Sequence, residues 1–478
     1  MSERLSRTLL PLGFVVGCVF ALGLAVYRPR YLNNHSYLGA VMFIEILVVA
    51  LWKYQQRFFP LLMVVFLWAG TDVPLSGVWT SGRWLVLALG AVAGFVIYLR
   101  DGDHFFGAFH AVALFCGIAA LISAMASFHP QVALLKAASL LLLFLYGASG
   151  ARVAVAGREA SFFSGLLLGC ELLVYVSAIC YFVLHLEVYG NPNAMGAVMG
   201  VVATPILLWG VLVSDGTSAR RRRTFALVLS LFTLFASYER AGFVAAAVAS
   251  LLLCIGLRRY RLLLTGMAVA LLAAVVAAAV VPLATDRPGE SESFVSAFLY
   301  KGHEVQGILG SRQSPWEKTS RVIQAHPWFG SGFGTSVTSY DAAAQGGAFS
   351  STSLSTQEHG NSYLAIVESE GLLGVIPFFV LVCMIVLNVG RVVKWMRRTG
   401  SPFSPAIPLA AVLAAGLVHA TFEDWLFAVG SYMCVFFWPL AFVLSDVVRS
   451  TEPQAVHLVS SYTSPRWDGS YGIATPGR

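Results

Sequence analysis

The sequence predicts an all-α, polytopic integral membrane protein, and three observations predict it. Of 478 residues, 58% are hydrophobic and only 12% are charged, and the mean hydropathy is +0.75. Apolar runs of spanning length recur from one end of the chain to the other, as expected where the solvent is lipid. These runs lack the alternation of an outer-membrane barrel, so each must satisfy its backbone internally as a helix.

Taken in order, the apolar segments fall near residues 8–27, 36–52, 58–70, 84–99, 105–127, 132–150, 162–184, 194–213, 224–237, 242–257, 262–282, 363–389, 405–420 and 425–445. Several are short, which gives about 12–14 transmembrane helices. The first follows a basic start, "MSERLSR", without a convincing cleavage site, and reads as a retained helix. Lys53 and Arg57, "ARRRR" at 219–223, "RRYR" at 258–261 and "RVVKWMRR" at 391–398 share one side. The positive-inside rule makes that side cytoplasmic, together with both termini.

The opposite side then receives three short loops, "EVYGNPNAMG" (187–196), "SYERAG" (237–242) and "HATFEDW" (419–425), and one long loop, 283–361. A loop of that length is expected to be a functional element, and Arg312, Trp316 and Ile323 space out a short helix ending at Pro327 and a Gly-rich bend. One integral domain covers 1–445. The Ser-, Pro- and Gly-rich tail, 446–478, is expected to be disordered in the cytoplasm.

The net charge of +7 sits in short clusters between apolar runs and so reports topology, not nucleic-acid binding. All seven cysteines lie inside apolar runs, which suggests neither a disulfide framework nor a metal site.

Few polar residues remain to carry chemistry. Arg240 stands in a connection of a few residues, where its fork suits phosphate oxygens, although an interface arginine that snorkels or pairs with Glu239 fits equally well. Arg312 opens the helix of the long loop; Lys318 and Arg321 read first as a solvated face. His359 immediately precedes a span, so its imidazole can be held rigidly while staying reachable from water, and a neutral imidazole can take a proton from a hydroxyl. Glu358 could orient it. Glu368 and Glu370 fall two and a half to three turns into the following span, where a charge faces a cavity or a partner. Glu45 and Lys136 are similar outliers that could pair with one another, and Glu423 and Asp424 fit either a plain loop or a ligand-positioning role. Asn191, Pro192 and Asn193 read as a turn and N-cap.

In order, "NPNAMG", "SYERAG", "SRQSPWEKTSRVIQAHPWFGSGFG" and "HGNSYLAIVESEGLLGVIPFF" resemble the bacterial O-antigen ligase and O-antigen/exopolysaccharide polymerase superfamily over roughly residues 190–390. That family shows a Pro-Asn-x-x-Gly turn, a serine-arginine turn, an arginine and tryptophan ahead of a His/aromatic-Pro-x-x-Gly-x-Gly stretch, and a histidine-asparagine-x-x-leucine motif before a Gly-Leu-Leu-Gly helix. Two positions depart from the pattern: Gly360 separates His359 from Asn361, and Glu239 precedes Arg240 where a small residue is frequent.

The resemblance implies a glycosyltransferase-C-like fold in the bacterial inner membrane, with its site on the periplasmic side. It implies a metal-independent, cofactor-free, inverting transfer of a glycan from a polyprenyl-diphosphate donor to a sugar hydroxyl, in O-antigen, lipopolysaccharide or exopolysaccharide assembly. His359 would be the general base or acceptor-orienting residue, and Arg240 and Arg312 would bind the donor diphosphate. Asn361, Glu358, Glu370, Arg321 and Asn193 are supporting candidates, and no metal ligand is expected. The acceptor is another lipid-linked repeat for a polymerase, slightly favoured, or lipid A-core for a ligase. Expected partners are membrane lipids and, for a polymerase, a flippase and a chain-length regulator, with no nucleic acid. A transporter using Glu45, Lys136, Glu368 and Glu370 as an ion path is the reading from another class.

Overall fold

A computed structural model describes residues 58–71, 76–101, 106–214, 216–266, 268, 310–335 and 359–461. The described residues are helical or in turns, with no strand. Of the expected spans, 8–27, 36–52 and most of 262–282 lie outside the described residues. Seven described helices are long and apolar enough to cross a membrane, and three shorter apolar helices join them. The chain is an all-α, polytopic membrane protein.

In chain order the helices are α1 (Phe58–Ala69), α2 (Ser76–Asp101), α3 (Ala108–Met125), α4 (Pro130–Val155), α5 (Glu159–Val183), α6 (Pro192–Leu212), α7 (Thr217–Ala236), α8 (Arg240–Gly256), α9 (Gly310–Ala325), α10 (Ser362–Thr399), α11 (Ala406–His419) and α12 (Tyr432–Ser461). Prolines begin α4 and α6, where a missing N–H costs nothing. Asn191 caps α6 by accepting from the Ala194 amide at 3.1 Å, as its position predicts.

The centre of the bundle is α6, α11 and the first half of α12, which are buried almost all round. Around them, helices such as α10 keep one face buried and turn a stripe of Leu373, Ile376, Phe379 and Leu387 outward, the pattern expected of a helix with lipid on one side. Small residues set the closest approach. A Cβ on Gly200 of α6 would lie 2.3 Å from the Gly242 carbonyl of α8, so these two backbones touch, as small-residue interfaces in membranes allow. That contact fixes the start of α8, and with it Arg240.

Two features of the helices bear on the site. The last helix, α12, runs on past 446 to Ser461. Asp446 pairs with Arg152, and Val447 and Val448 pack against the core, so the helix still has buried partners past that boundary. Residues 462–478 lie outside the described residues. The span holding Glu368 and Glu370 is not one continuous helix. At Gly371 the backbone turns to φ 66°, ψ −178°, a conformation essentially confined to glycine, so both glutamates sit in a short helix that ends there.

The break has a partner. The "PWFGSGFG" bend after α9 docks on it backbone to backbone: Leu372 N donates to Pro327 O at 2.8 Å, Ser331 N to Glu368 O at 2.8 Å and Gly332 N to Ser369 O at 3.2 Å. Gly330 and Gly371 face each other so closely that a Cβ on Gly371 would sit 2.5 Å from Gly330 N. Ser123 of α3 closes the joint from behind, donating to Ser369 O at 2.5 Å. Amide groups released by the helix break are thereby satisfied inside protein, as the membrane requires. The Gly-rich stretches of 327–334 and 371–374 are two halves of one joint, and it carries α9 to the mouth of the bundle.

Candidate functional site

The site is built where α10 starts. Asn361 caps that helix, its Oδ1 accepting from Tyr363 N at 2.8 Å and Leu364 N at 3.1 Å. Ser362, the next residue, is buried and ties down the loop after α11. Its amide donates to Ala420 O at 2.9 Å, its hydroxyl donates to Glu423 O at 2.7 Å and accepts from the Trp425 and Leu426 amides, each at 3.1 Å. This staple brings Glu423 and Asp424, remote in sequence, beside His359.

His359 is clamped between two carboxylates. Nδ1 lies 2.6 Å from Asp424 Oδ2, and Nε2 lies 3.0 Å from Glu368 Oε2. The second contact is close enough for an ion pair but off the line of a well-formed hydrogen bond. The Glu368 side chain is 1% exposed and that of Asp424 is 30% exposed, so one carboxylate backs the imidazole and the other fronts it. Burial opposes charge on this ring, yet hydrogen bonds and charge from Asp424 and Glu368 outweigh it and raise its pKa to about 10. The imidazole is therefore an imidazolium at neutral pH, not the neutral ring expected from its position alone.

Cations surround the cluster. Arg312, from α9, pairs with Glu423, and its charge reaches both Arg240 at the start of α8 and His419 at the end of α11. Lys136, from α4, donates to the Gly334 carbonyl of the Gly-rich bend, and it lies within electrostatic reach of Asp424. Arg240, Arg312, His359 and Lys136 thus gather at one end of the bundle from four separate helices and loops. The basic run Arg220–Arg223 lies toward the other end, about 20–24 Å from the far end of α7 along its axis.

Both departures from the family pattern find a place here. Gly360 adopts φ 58°, and a Cβ there would come within 2.8 Å of the Arg312 guanidinium; Trp316 Nε1 donates to its carbonyl at 3.4 Å. The extra glycine lets α9 press Arg312 against the bend that carries His359. Glu239 is buried, 3.7 Å from His419 Nε2, and its charge also reaches Arg240. His419 is held from its other nitrogen by Trp425 Nε1 at 2.8 Å. Beneath this turn, a Cβ on Gly196 would meet Ser237 Oγ at 2.2 Å and Glu239 Cβ at 2.4 Å, which accounts for the glycine of "NPNAMG".

The supporting candidates fare differently. Asn361 is an N-cap. Arg321 lies on the exposed outer face of α9, in an open groove with Trp316 and Gln324, turned away from His359. Asn193 is exposed at the start of α6. Glu370 points away from the clamp: it is buried with neither carboxylate oxygen hydrogen-bonded, and its charge is felt by Cys116 of α3. Glu358 and Glu45 lie outside the described residues, so Lys136 is described with Gly334 and not with Glu45. Glu368, Asp424 and Lys136 are the members that sequence reasoning left among several readings; the acidic pair in a short loop on the same side as "SYERAG" was the available signal. Among the described residues, no group of three His, Cys, Asp or Glu is arranged to hold a metal ion.

No curated protein matches this chain. The family model described as O-antigen ligase matches residues 225–379, a stretch that contains Arg240, Arg312, His359 and Glu368 and stops before Asp424. The joint between 327–334 and 371–374 lies inside that match and the clamp is built upon it, so this part of the chain is similar to the O-antigen ligase family.

Proposed function

We propose that this membrane glycan transferase moves a glycan from a polyprenyl-diphosphate donor to a sugar hydroxyl at the end of the bundle that carries His359. The observation that supports this most is the convergence of Arg240 and Arg312 with the His359 clamp, from separate stretches of sequence, at the end opposite the Arg220–Arg223 run. With the basic run cytoplasmic, the site faces the periplasm of the inner membrane.

The chemistry follows from charge. As the anomeric bond to the donor breaks, negative charge grows on the leaving diphosphate, and fixed guanidinium groups are suited to stabilise it. The attacking hydroxyl must lose a proton, and the His359 cluster, an imidazole held between two carboxyl groups, is suited to receive it. Attack opposite the leaving group inverts the anomeric centre. The acceptor is another lipid-linked repeat in the favoured polymerase reading and lipid A-core in the ligase reading.

The test is complementation of a surface-glycan-deficient strain with wild type, His359→Ala, Arg240→Ala and Arg312→Ala, each checked for membrane expression. All three variants should lose glycan product, and full activity in all of them would remove the site. A null strain that accumulates single lipid-linked repeats indicates a polymerase; one that keeps polymer on the lipid carrier indicates a ligase.

A further inference from the structure

The basic run at the start of α7 splits in two. Arg222 and Arg223 turn to the buried Glu171, at 2.6 and 3.6 Å, and Arg223 also donates to Gly210 O and Ser214 Oγ at 3.0 and 2.7 Å. Arg220 and Arg221 turn outward, and among the described residues neither guanidinium has an ion-pair partner. Counted by sequence, the four arginines against Glu171 and Asp215 leave two positive charges at this end of the helix.

The outward pair tops a groove. Thr217, Arg220, Arg221, Thr224, Phe225 and Val228 line an open hollow of about 500 Å³ on the outer face of α7, a size that suits a small ligand. Their spacing puts all six on one face of the helix, opposite the buried Ala226, Ser230 and Thr233. The upper half of the groove is cationic and carries two hydroxyl groups. Its lower half is apolar and continues along the helix in the exposed side chains of Leu231 and Phe232. Tyr175 and Phe182 of α5 wall one side, their rings 6.1 and 5.1 Å from those of Phe225 and Phe232. From Arg221 to Phe232 the face runs about 16 Å along the axis, close to half the thickness of a hydrocarbon core.

A soluble anion would use only the guanidinium end, and an acidic protein surface would leave the apolar face bare. An amphiphile with a phosphate head matches both halves. We infer that this face of α7 binds one anionic phospholipid of the adjacent leaflet, its phosphate held by Arg220 and Arg221 and an acyl chain laid along Phe225, Val228 and Phe232. Arginine forks suit phosphate oxygens, and basic pockets at the membrane edge select acidic lipids. Gly216 gives α7 no side-chain cap, so the positive end of the helix dipole adds to the attraction. The lipid neutralises the outward half of the run as Glu171 neutralises the inward half. The groove lies at the end away from His359 and does not rest on the transferase reading.

The full chain, purified in mixed micelles of phosphatidylglycerol and phosphatidylcholine in equal amounts, gives a direct readout by native mass spectrometry. Wild type should retain phosphatidylglycerol in preference to phosphatidylcholine, and Arg220→Gln/Arg221→Gln should lower that retention by about tenfold. Arg258→Gln/Arg259→Gln, which removes two exposed charges after α8, should leave it unchanged. Phe225→Ser/Val228→Ser keeps every charge and should also lower it, and inorganic phosphate should not displace the lipid. Equal retention of the two lipids by wild type, or no loss from the Arg220 and Arg221 pair, overturns the site. An equal loss from the α8 pair would show a diffuse field, and displacement by phosphate or no loss from the serine pair would show an anion site without a lipid; each of these overturns the inference.

Discussion

The two ends of the bundle each hold a buried glutamate against basic partners, and they solve the problem in opposite ways. At the end of α7 that bears the basic run, Glu171 is enclosed by Arg222 at 2.6 Å and Arg223 at 3.6 Å. The two cations come from consecutive positions of one helix, and Arg222 is 55% exposed. At the other end, Glu368 faces a histidine that a second carboxylate also holds, while Arg312 and Lys136 bind neighbouring groups. The first arrangement is saturated with positive charge and locally encoded. The second leaves one carboxylate open to water and is assembled from four distant segments, the kind of arrangement found at functional sites.

The contrast can be broken most decisively at His359. His359→Ala should reduce glycan product by about 10²- to 10⁴-fold with normal membrane levels, read on gels of extracted glycan; unchanged product would make this end as structural as the other. Arg312→Ala should cost about 10²-fold, and Arg312→Lys should recover only part of that, because a lysine cannot offer a bidentate fork. The same assay on purified variants separates loss of rate from loss of protein.

Gly371→Ala sharpens the comparison on the side of the scaffold. The new Cβ would meet Gly330 N and the Trp328 carbonyl at 2.5 Å in a backbone conformation that only glycine adopts easily, so stability should fall by about 1–3 kcal/mol. Its thermal midpoint should drop, and glycan product should fall with it as α9 loosens. Glu171→Gln should do the reverse at the other end: a midpoint lower by a few degrees, reflecting about 1 kcal/mol, with glycan transfer intact. A Glu171→Gln enzyme that folds but transfers nothing would erase the distinction between the two ends.

The smallest expected effect is on pH dependence. The folded pKa of His359 is raised to about 10 from an ordinary value near 6.5. Its contribution to stability is therefore complete below about pH 6.5 and is lost as pH rises toward 10. The difference in thermal midpoint between wild type and His359→Gln should be largest near pH 6 and shrink steadily by pH 10.

Much of the scaffold is legible in the sequence. The apolar runs gave helices, the spacing of Arg312, Trp316 and Ile323 gave α9, and Asn191 gave a cap, because hydropathy, period and capping are local properties. Asn361 was legible as a polar residue at a span start, but its work as a cap appears only once Tyr363 and Leu364 point their amides at it. Glu368 looked like a charge buried in a continuous span because the turn at Gly371 depends on the Pro327–Gly332 backbone that docks there, and no local rule announces such a partner.

The sequence by itself determined that this is a helical membrane protein, which of its loops collect basic residues, and that Arg240, Arg312 and His359 are worth testing. Tertiary structure alone decided that Asp424 lies beside the histidine, that Glu370 faces α3 and Glu368 the site, and that Lys136 reaches the Gly-rich bend. It also decided the charge of the imidazole. That charge is set by two carboxylates brought within 3.0 Å from opposite sides, and proximity between residues so far apart in the chain is a property of packing, not of order along the sequence.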